Sequence, residues 1–169
     1  MQVVLGLGGN LGDVPAALVA ARAQLGAWTQ VLAASRLYRT APVGPVAQPP
    51  FLNAALLVGV DLGLGELLER CHELEAAAGR NRAGEPRWGP RPLDIDLLAA
   101  RDIVHRGPRL ELPHPRLHDR AFALVPAAEV VGGWIHAPFG RTLDALAADA
   151  LGRDPAAILE VVPDDRWRT

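Results

Sequence analysis

The sequence predicts an α+β layer fold with a mostly antiparallel sheet. Two observations carry that prediction. Segments of strand character and of helical spacing follow one another in the order β-α-β-β-α-β-(β)-α. Between them lie two Gly- and Pro-rich stretches, at 41–50 and 80–92, long enough to be functional rather than plain connectors.

Each element has a local reason. Val3 to Leu7 is an apolar run closed by Gly8-Gly9-Asn10, which reads as a buried strand. Asp13 is a suitable N-cap and Pro15 suits a first turn; Leu18, Val19, Arg22 and Leu25 then follow helical spacing as far as Gly26. Thr29 to Thr40 reads as one strand. The prolines of 41–50 remove backbone donors and force a loop. Phe51 to Val60 is a strong strand. Leu64 to Ala78 is a helix with Leu64, Leu67, Leu68, Cys71 and Leu74 on one stripe and Gly79 as its stop. Leu93 to Ala99 alternates acidic and apolar residues, as a strand lining a cleft would, and 102–104 is expected to pair with it. Leu110-Glu111-Leu112 is a short strand. Helices are expected over Ala121–Ala128 and Leu143–Leu151, while Ala156–Val162 suits either state. The chain is expected to form a single domain over 1–169, with 141–169 a C-terminal helix and tail.

Composition excludes several functions. Half the residues are apolar and 21% are charged, a globular composition. No run of about 18 apolar residues exists to span a membrane. Met1-Gln2-Val3 offers no basic segment ahead of the apolar stretch, so a secretory signal is not expected. The net charge of −2 provides no basic field for nucleic acid. Cys71 is the only cysteine, which rules out an internal disulfide and a thiolate zinc cluster and suits a reducing cytoplasm. All 17 basic residues are arginine, so neither a Walker-type lysine nor a Schiff-base lysine is available.

The candidate chemistry centres on Asp94-Ile95-Asp96. On a strand these two carboxylates share a face, about 6.6 Å apart along the chain. Like charges so placed repel unless a cation lies between them, and hard oxygen ligands suit Mg²⁺, singly or as a bridged pair. A bare D-x-D also suits a solvated strand face. Its neighbourhood favours the metal: Arg80, Arg82, Arg87, Trp88 and Arg91 precede it, and guanidinium forks match phosphate oxygens. The Gly6-to-Asp13 turn resembles a dinucleotide fingerprint but has G-x-G-x-x-x-G spacing, and Arg39 and Thr40 stand where the expected acid would be, so a plain tight turn is equally open. Phe51, Asn53, Trp88 and Phe122 stand out because aromatics are only 5% of the chain; two rings and an amide suit a planar heterocycle, although taken singly Phe51 and Phe122 read better as core, and Trp88, in a Gly/Pro/Arg stretch, does not. His114, between two prolines, is a phosphate ligand or a turn residue.

Gly8-Gly9-Asn10-Leu11-Gly12-Asp13, Tyr38-Arg39-Thr40 with Gly44-Pro45, Phe51-Leu52-Asn53-Ala54-Ala55, Gly79-Arg80-Asn81-Arg82, Arg87-Trp88-Gly89-Pro90-Arg91-Pro92-Leu93-Asp94-Ile95-Asp96, Pro113-His114-Pro115 and Arg120-Ala121-Phe122 together resemble the 6-hydroxymethyl-7,8-dihydropterin pyrophosphokinase family over roughly residues 3–140. The resemblance implies a ferredoxin-like three-layer α/β/α fold, a monomer, and transfer of diphosphate from ATP to the pterin hydroxymethyl oxygen with release of AMP. It implies that Asp94 and Asp96 hold two Mg²⁺ ions. It further implies that Glu75, Arg80, Arg82, Trp88, Arg91, His114 and Arg120 bind ATP, Arg80 and Arg91 with a catalytic part. Thr40, Val43, Phe51, Asn53 and Phe122 would form the pterin pocket. Gly9, Phe51 and His72 depart from the serine, tyrosine and glutamine common in the family. A non-catalytic nucleotide- or anion-binding module on the same fold is the alternative.

Overall fold

The computed structural model describes residues 1–82, 88–163 and 165–168. Its elements are β1 (Gln2–Gly9), α1 (Val14–Gly26), β2 (Gln30–Ala34), β3 (Leu37–Thr40), β4 (Phe51–Gly59), α2 (Leu64–Ala77), β5 (Asp94–Ala100), β6 (His105–Arg106), β7 (Glu111–Leu112), α3 (Ala121–Val131), β8 (Ile135–His136), β9 (Arg141–Thr142), α4 (Leu143–Arg153), β10 (Ile158–Val162) and α5 (Asp165–Arg168). The main sheet runs β10-β3-β4-β1-β5, with β2 also paired to β4, and its ladders are antiparallel.

Alternation along the strands creates two cores. Val3, Leu5 and Leu7 of β1 face one way, with Ile95 and Leu97 of β5, and are covered by Leu18 and Leu25 of α1 and Leu67 and Cys71 of α2. Val4 and Leu98 face the other way, under Leu124 and Ala127 of α3 and Leu146 and Ala147 of α4. The result is the expected three-layer ferredoxin-like arrangement, because every central strand must bury both faces. Asp13 caps α1 by accepting from the Ala16 N–H at 3.1 Å.

The structure departs from the sequence expectations at four places. The strand expected over 29–40 breaks at Ser35-Arg36: the Ser35 hydroxyl accepts from Ala55 N–H at 2.8 Å and donates to the Arg36 carbonyl at 2.7 Å, a side chain standing in for the ladder. Residues 102–104 do not form a hairpin strand with β5. Asp102, at φ 57°, turns the chain, only the bridge Ala100–Ile103 forms, and the following β6 pairs with β7 instead. The ambiguous segment near 156–162 is an edge strand, β10, on β3. Beyond it, Trp167 is wholly buried and its indole N–H donates to the Ser35 carbonyl at 2.7 Å, so this side chain packs into the core. Among the described residues no helix is long and apolar enough to cross a membrane.

Candidate active site

The cleft is built on a row of residues in register across the sheet. Tyr38 of β3 faces Asn53 of β4, Asn53 faces Gly8 of β1, and Gly8 faces Asp94 of β5; one step along, Ala55, Gly6 and Asp96 are likewise aligned. Ile95 and Leu97 point into the opposite core, so Asp94 and Asp96 share the face that looks toward the start of α3. The glycines between amide and acid keep this floor open. A Cβ on Gly8 would lie 2.2 Å from Asn53 Oδ1, and one on Gly6 would lie 2.9 Å from the Leu98 side chain. The G-x-G pattern therefore serves the strand floor and is not a phosphate loop.

Above this floor is a cavity of about 400 Å³. Thr40, Val43, Phe51, Asn53 and Phe122 line it together with Arg80, Arg82, Trp88, Arg91, Asp94, Asp96, His114 and Arg120. Asn53 is held by a 2.7 Å hydrogen bond to Thr40 Oγ1. The guanidinium of Arg91 lies 5.6 Å from the Phe51 ring centre and that of Arg120 lies 5.5 Å from the Phe122 ring centre, so each ring is paired with a cation. Arg87 lies outside the described residues.

Glu75 alone of the predicted site residues stands behind the wall. It is fully buried on α2, and its carboxylate accepts from Arg80 at 2.7 Å, from Arg82, and from the Ile95 backbone N–H at 2.7 Å. Burial pushes its pKa up, against the Ile95 N–H and the two guanidinium groups. Its work in this structure is to aim Arg80 and Arg82 and to anchor β5. Asp94 is neutralised in turn by Arg80 and by Arg91, the latter at 2.9 Å. Among the described residues Asp96 pairs only with Arg120, at 3.8 Å. Its surroundings and the neighbouring Asp94 charge raise its pKa from 3.8 to about 6.

That imbalance fits a divalent cation. Asp96 is a carboxylate whose charge is incompletely compensated, and it opens on the cleft beside a second carboxylate. Among the described residues no group of three or more His, Cys, Asp or Glu side chains converges here. A bound ion would complete its shell from water and ligand oxygens, which is the habit of Mg²⁺.

His114 is a neutral donor. Arg116 N–H donates to its Nδ1 at 3.1 Å, which leaves the proton on Nε2. Burial, with Arg120 and Arg116 nearby, lowers its pKa from 6.5 to about 4. Cys71 is buried in the core and its thiol is pushed up to about 12, as befits an inert residue.

Three contributors are not evident from the sequence. Asn10 ties both loops to the end of β1: its amide donates to Gln48 Oε1 and to the Pro49 carbonyl, each at 3.0 Å, and its Oδ1 accepts from Arg91 N–H at 2.9 Å. Gly44, at φ 107°, packs on the Trp88 indole, where a Cβ would come within 2.7 Å of a ring carbon. Arg116 lines the cleft beside His114. The one advance signal was an amide within a glycine turn; the rest depends on which loops meet.

The fold and cleft define an α/β class of protein whose cavity is lined by arginines, two aspartates and the rings of Phe51 and Phe122. The comparisons specify the class. The family profile described as 7,8-dihydro-6-hydroxymethylpterin-pyrophosphokinase matches residues 4–132. The chain is 48% identical over 131 residues to a Methylorubrum extorquens protein, covering 76% of this chain and 82% of that one. It is 37% identical over 162 residues to a Synechocystis protein, covering 95% and 80%. Both are named 2-amino-4-hydroxy-6-hydroxymethyldihydropteridine pyrophosphokinase. The crystal structure of wild-type Plasmodium falciparum HPPK-DHPS with SDX-DHP superposes with a TM-score of 0.65 at 14% identity, over 90% of this chain and 44% of that chain, a likeness of fold. The chain belongs to the 7,8-dihydro-6-hydroxymethylpterin-pyrophosphokinase family.

Proposed function

We propose that the chain transfers diphosphate from ATP to the hydroxymethyl oxygen of 6-hydroxymethyl-7,8-dihydropterin, in folate biosynthesis. The hydroxymethyl oxygen forms a bond to the β-phosphorus as the bond from that phosphorus to the α,β-bridging oxygen breaks. AMP departs with the bridging oxygen, and the hydroxyl proton is lost to solvent. The observation that supports the reading is the register row, which aligns Asn53 and Gly8 with Asp94 and Ala55 and Gly6 with Asp96, beneath a cavity that Phe51 and Phe122 also line.

The site residues divide the work. Phe51 and Phe122 would stack on the pterin, with Asn53, held by Thr40, reading its polar edge and Val43 at the mouth. Arg80, Arg82, Arg91 and Arg120 would fix the phosphates, with Arg80 and Arg91 nearest Asp94. His114 Nε2–H would donate to a phosphate oxygen without titrating, and Trp88 would rest against the nucleotide. Asp94 and Asp96 would hold two Mg²⁺ ions, which when bound neutralise phosphoryl oxygens and help align the transfer. Closing the two loops through Asn10 and Gln48 would exclude water that would otherwise hydrolyse ATP. We further propose a single-domain monomer working in the cytoplasm.

The test is product analysis after incubation with ATP, Mg²⁺ and the hydroxymethyl dihydropterin. AMP and the pterin diphosphate should appear in equal amounts. ADP as product, or nucleotide binding without turnover, overturns the proposal; the second outcome is the one a non-catalytic binding module would give.

A further inference from the structure

The cleft arginines differ in what holds them. Arg80, Arg82 and Arg91 are engaged by Glu75 and Asp94. Among the described residues Arg120 pairs only with Asp96, at 3.8 Å. Arg116 lines the same cleft, yet its guanidinium has neither ion pair nor hydrogen bond among the described residues. Its charge presses on its neighbours, for Arg116 is among the groups that hold Arg120 and His114 below their ordinary proton affinities. Two mutually repelling cations thus line one cavity, and among the described residues the one ion pair either makes is that of Arg120 with Asp96.

The segment presenting Arg116 is fixed. His114 N–H donates to the Leu98 carbonyl at 2.7 Å, which ties the segment to β5, and the next side chain, Leu117, is wholly buried. Arg116 N–H in turn holds His114 Nδ1. The backbone of this one residue sets the His114 tautomer, while its side chain extends into the cleft mouth. A guanidinium at an open mouth matches a phosphate oxygen, and an uncharged pterin ring offers it no equivalent partner.

We propose that Arg116 is a further nucleotide-binding residue, contacting an oxygen of the polyphosphate alongside Arg120. The inference rests on the function proposed above. Since Arg116 is exposed, its contact is screened by solvent and acts on affinity, not on the chemical step. The contact should therefore be modest and salt-dependent.

The experiment compares wild type, Arg116→Gln and Arg116→Lys. Titrations use a non-hydrolysable ATP analogue with Mg²⁺, and separately inorganic tripolyphosphate, with steady-state kinetics in parallel. Arg116→Gln should bind both ligands about 5–10-fold more weakly at low salt, as expected for one charge-assisted contact. The deficit should shrink below about twofold at 1 M NaCl, where the Debye length is about 3 Å. The KM for ATP should rise with kcat and the pterin KM unchanged within about twofold, and Arg116→Lys should recover most of the affinity. Equal tripolyphosphate affinity in wild type and Arg116→Gln overturns the assignment, as does a fall in kcat at constant KM. A wild-type protein that binds neither ligand overturns the functional reading itself, a separate outcome.

Discussion

Replacing Asp96 with Asn should stabilise the protein while disabling it. In the folded chain the Asp96 carboxylate is raised from 3.8 to about 6 by burial and by Asp94. The folded state therefore holds this proton more tightly than the unfolded state. The associated stability is complete below pH 3.8 and is lost as pH rises through about 6. At about 1.36 kcal/mol per pH unit the gap sets a ceiling of roughly 3 kcal/mol. The side chain is 38% exposed, so solvent screening reduces this to about 1 kcal/mol. For a chain of this length that is a rise in Tm of about 2–4 °C. The assay is thermal unfolding of both proteins in EDTA at pH 8 and at pH 4. Asp96→Asn should melt higher at pH 8, and the gain should nearly vanish at pH 4. Turnover with Mg²⁺ should fall at least about 10²-fold, the cost of losing one preorganised electrostatic group. A variant that melts lower at pH 8, or gains equally at both pH values, refutes the claim that this carboxylate is held at an electrostatic cost in the service of the cleft.

Gly8→Ala should fold but force the Asn53 amide from its place, raising the pterin KM about 10-fold or more with nucleotide affinity little changed; calorimetric titration of the two ligands checks this. His114, at about 4, lies below its ordinary 6.5, so its protonation erodes stability as pH falls from 6.5 toward 4; NMR titration should show its ring neutral throughout pH 6–8. Trp167→Ala should cost about 3–5 kcal/mol in denaturant unfolding, for it empties a wholly buried site near the chain end and orphans the Ser35 carbonyl.

What was legible in advance follows from local physics. The Asp13 cap, the helix stripe around Leu67 and Cys71, and the period-2 run through Asp94-Ile95-Asp96 each depend on neighbours a few residues apart. The break at Ser35 was hidden because a serine in an apolar run looks like any strand residue until Ala55 is known to lie opposite. The segment 156–162 suits either state by local pattern because an edge strand leaves much of its length exposed; its reason to be a strand is β3.

By itself the sequence determined which side chains are available: two acids on one strand face, many guanidinium groups and no lysine, and two rings and an amide that could serve a flat ligand or the core. Tertiary structure alone decided their company. It laid Gly8 between Asn53 and Asp94, set Glu75 behind Arg80 and Arg82 and out of the cleft, made Asn10 the tie between the two loops, and brought Arg116 to the mouth. The reason is that ladder register and loop contact join residues tens of positions apart, where burial and charge balance are properties of the assembled neighbourhood and not of any one segment.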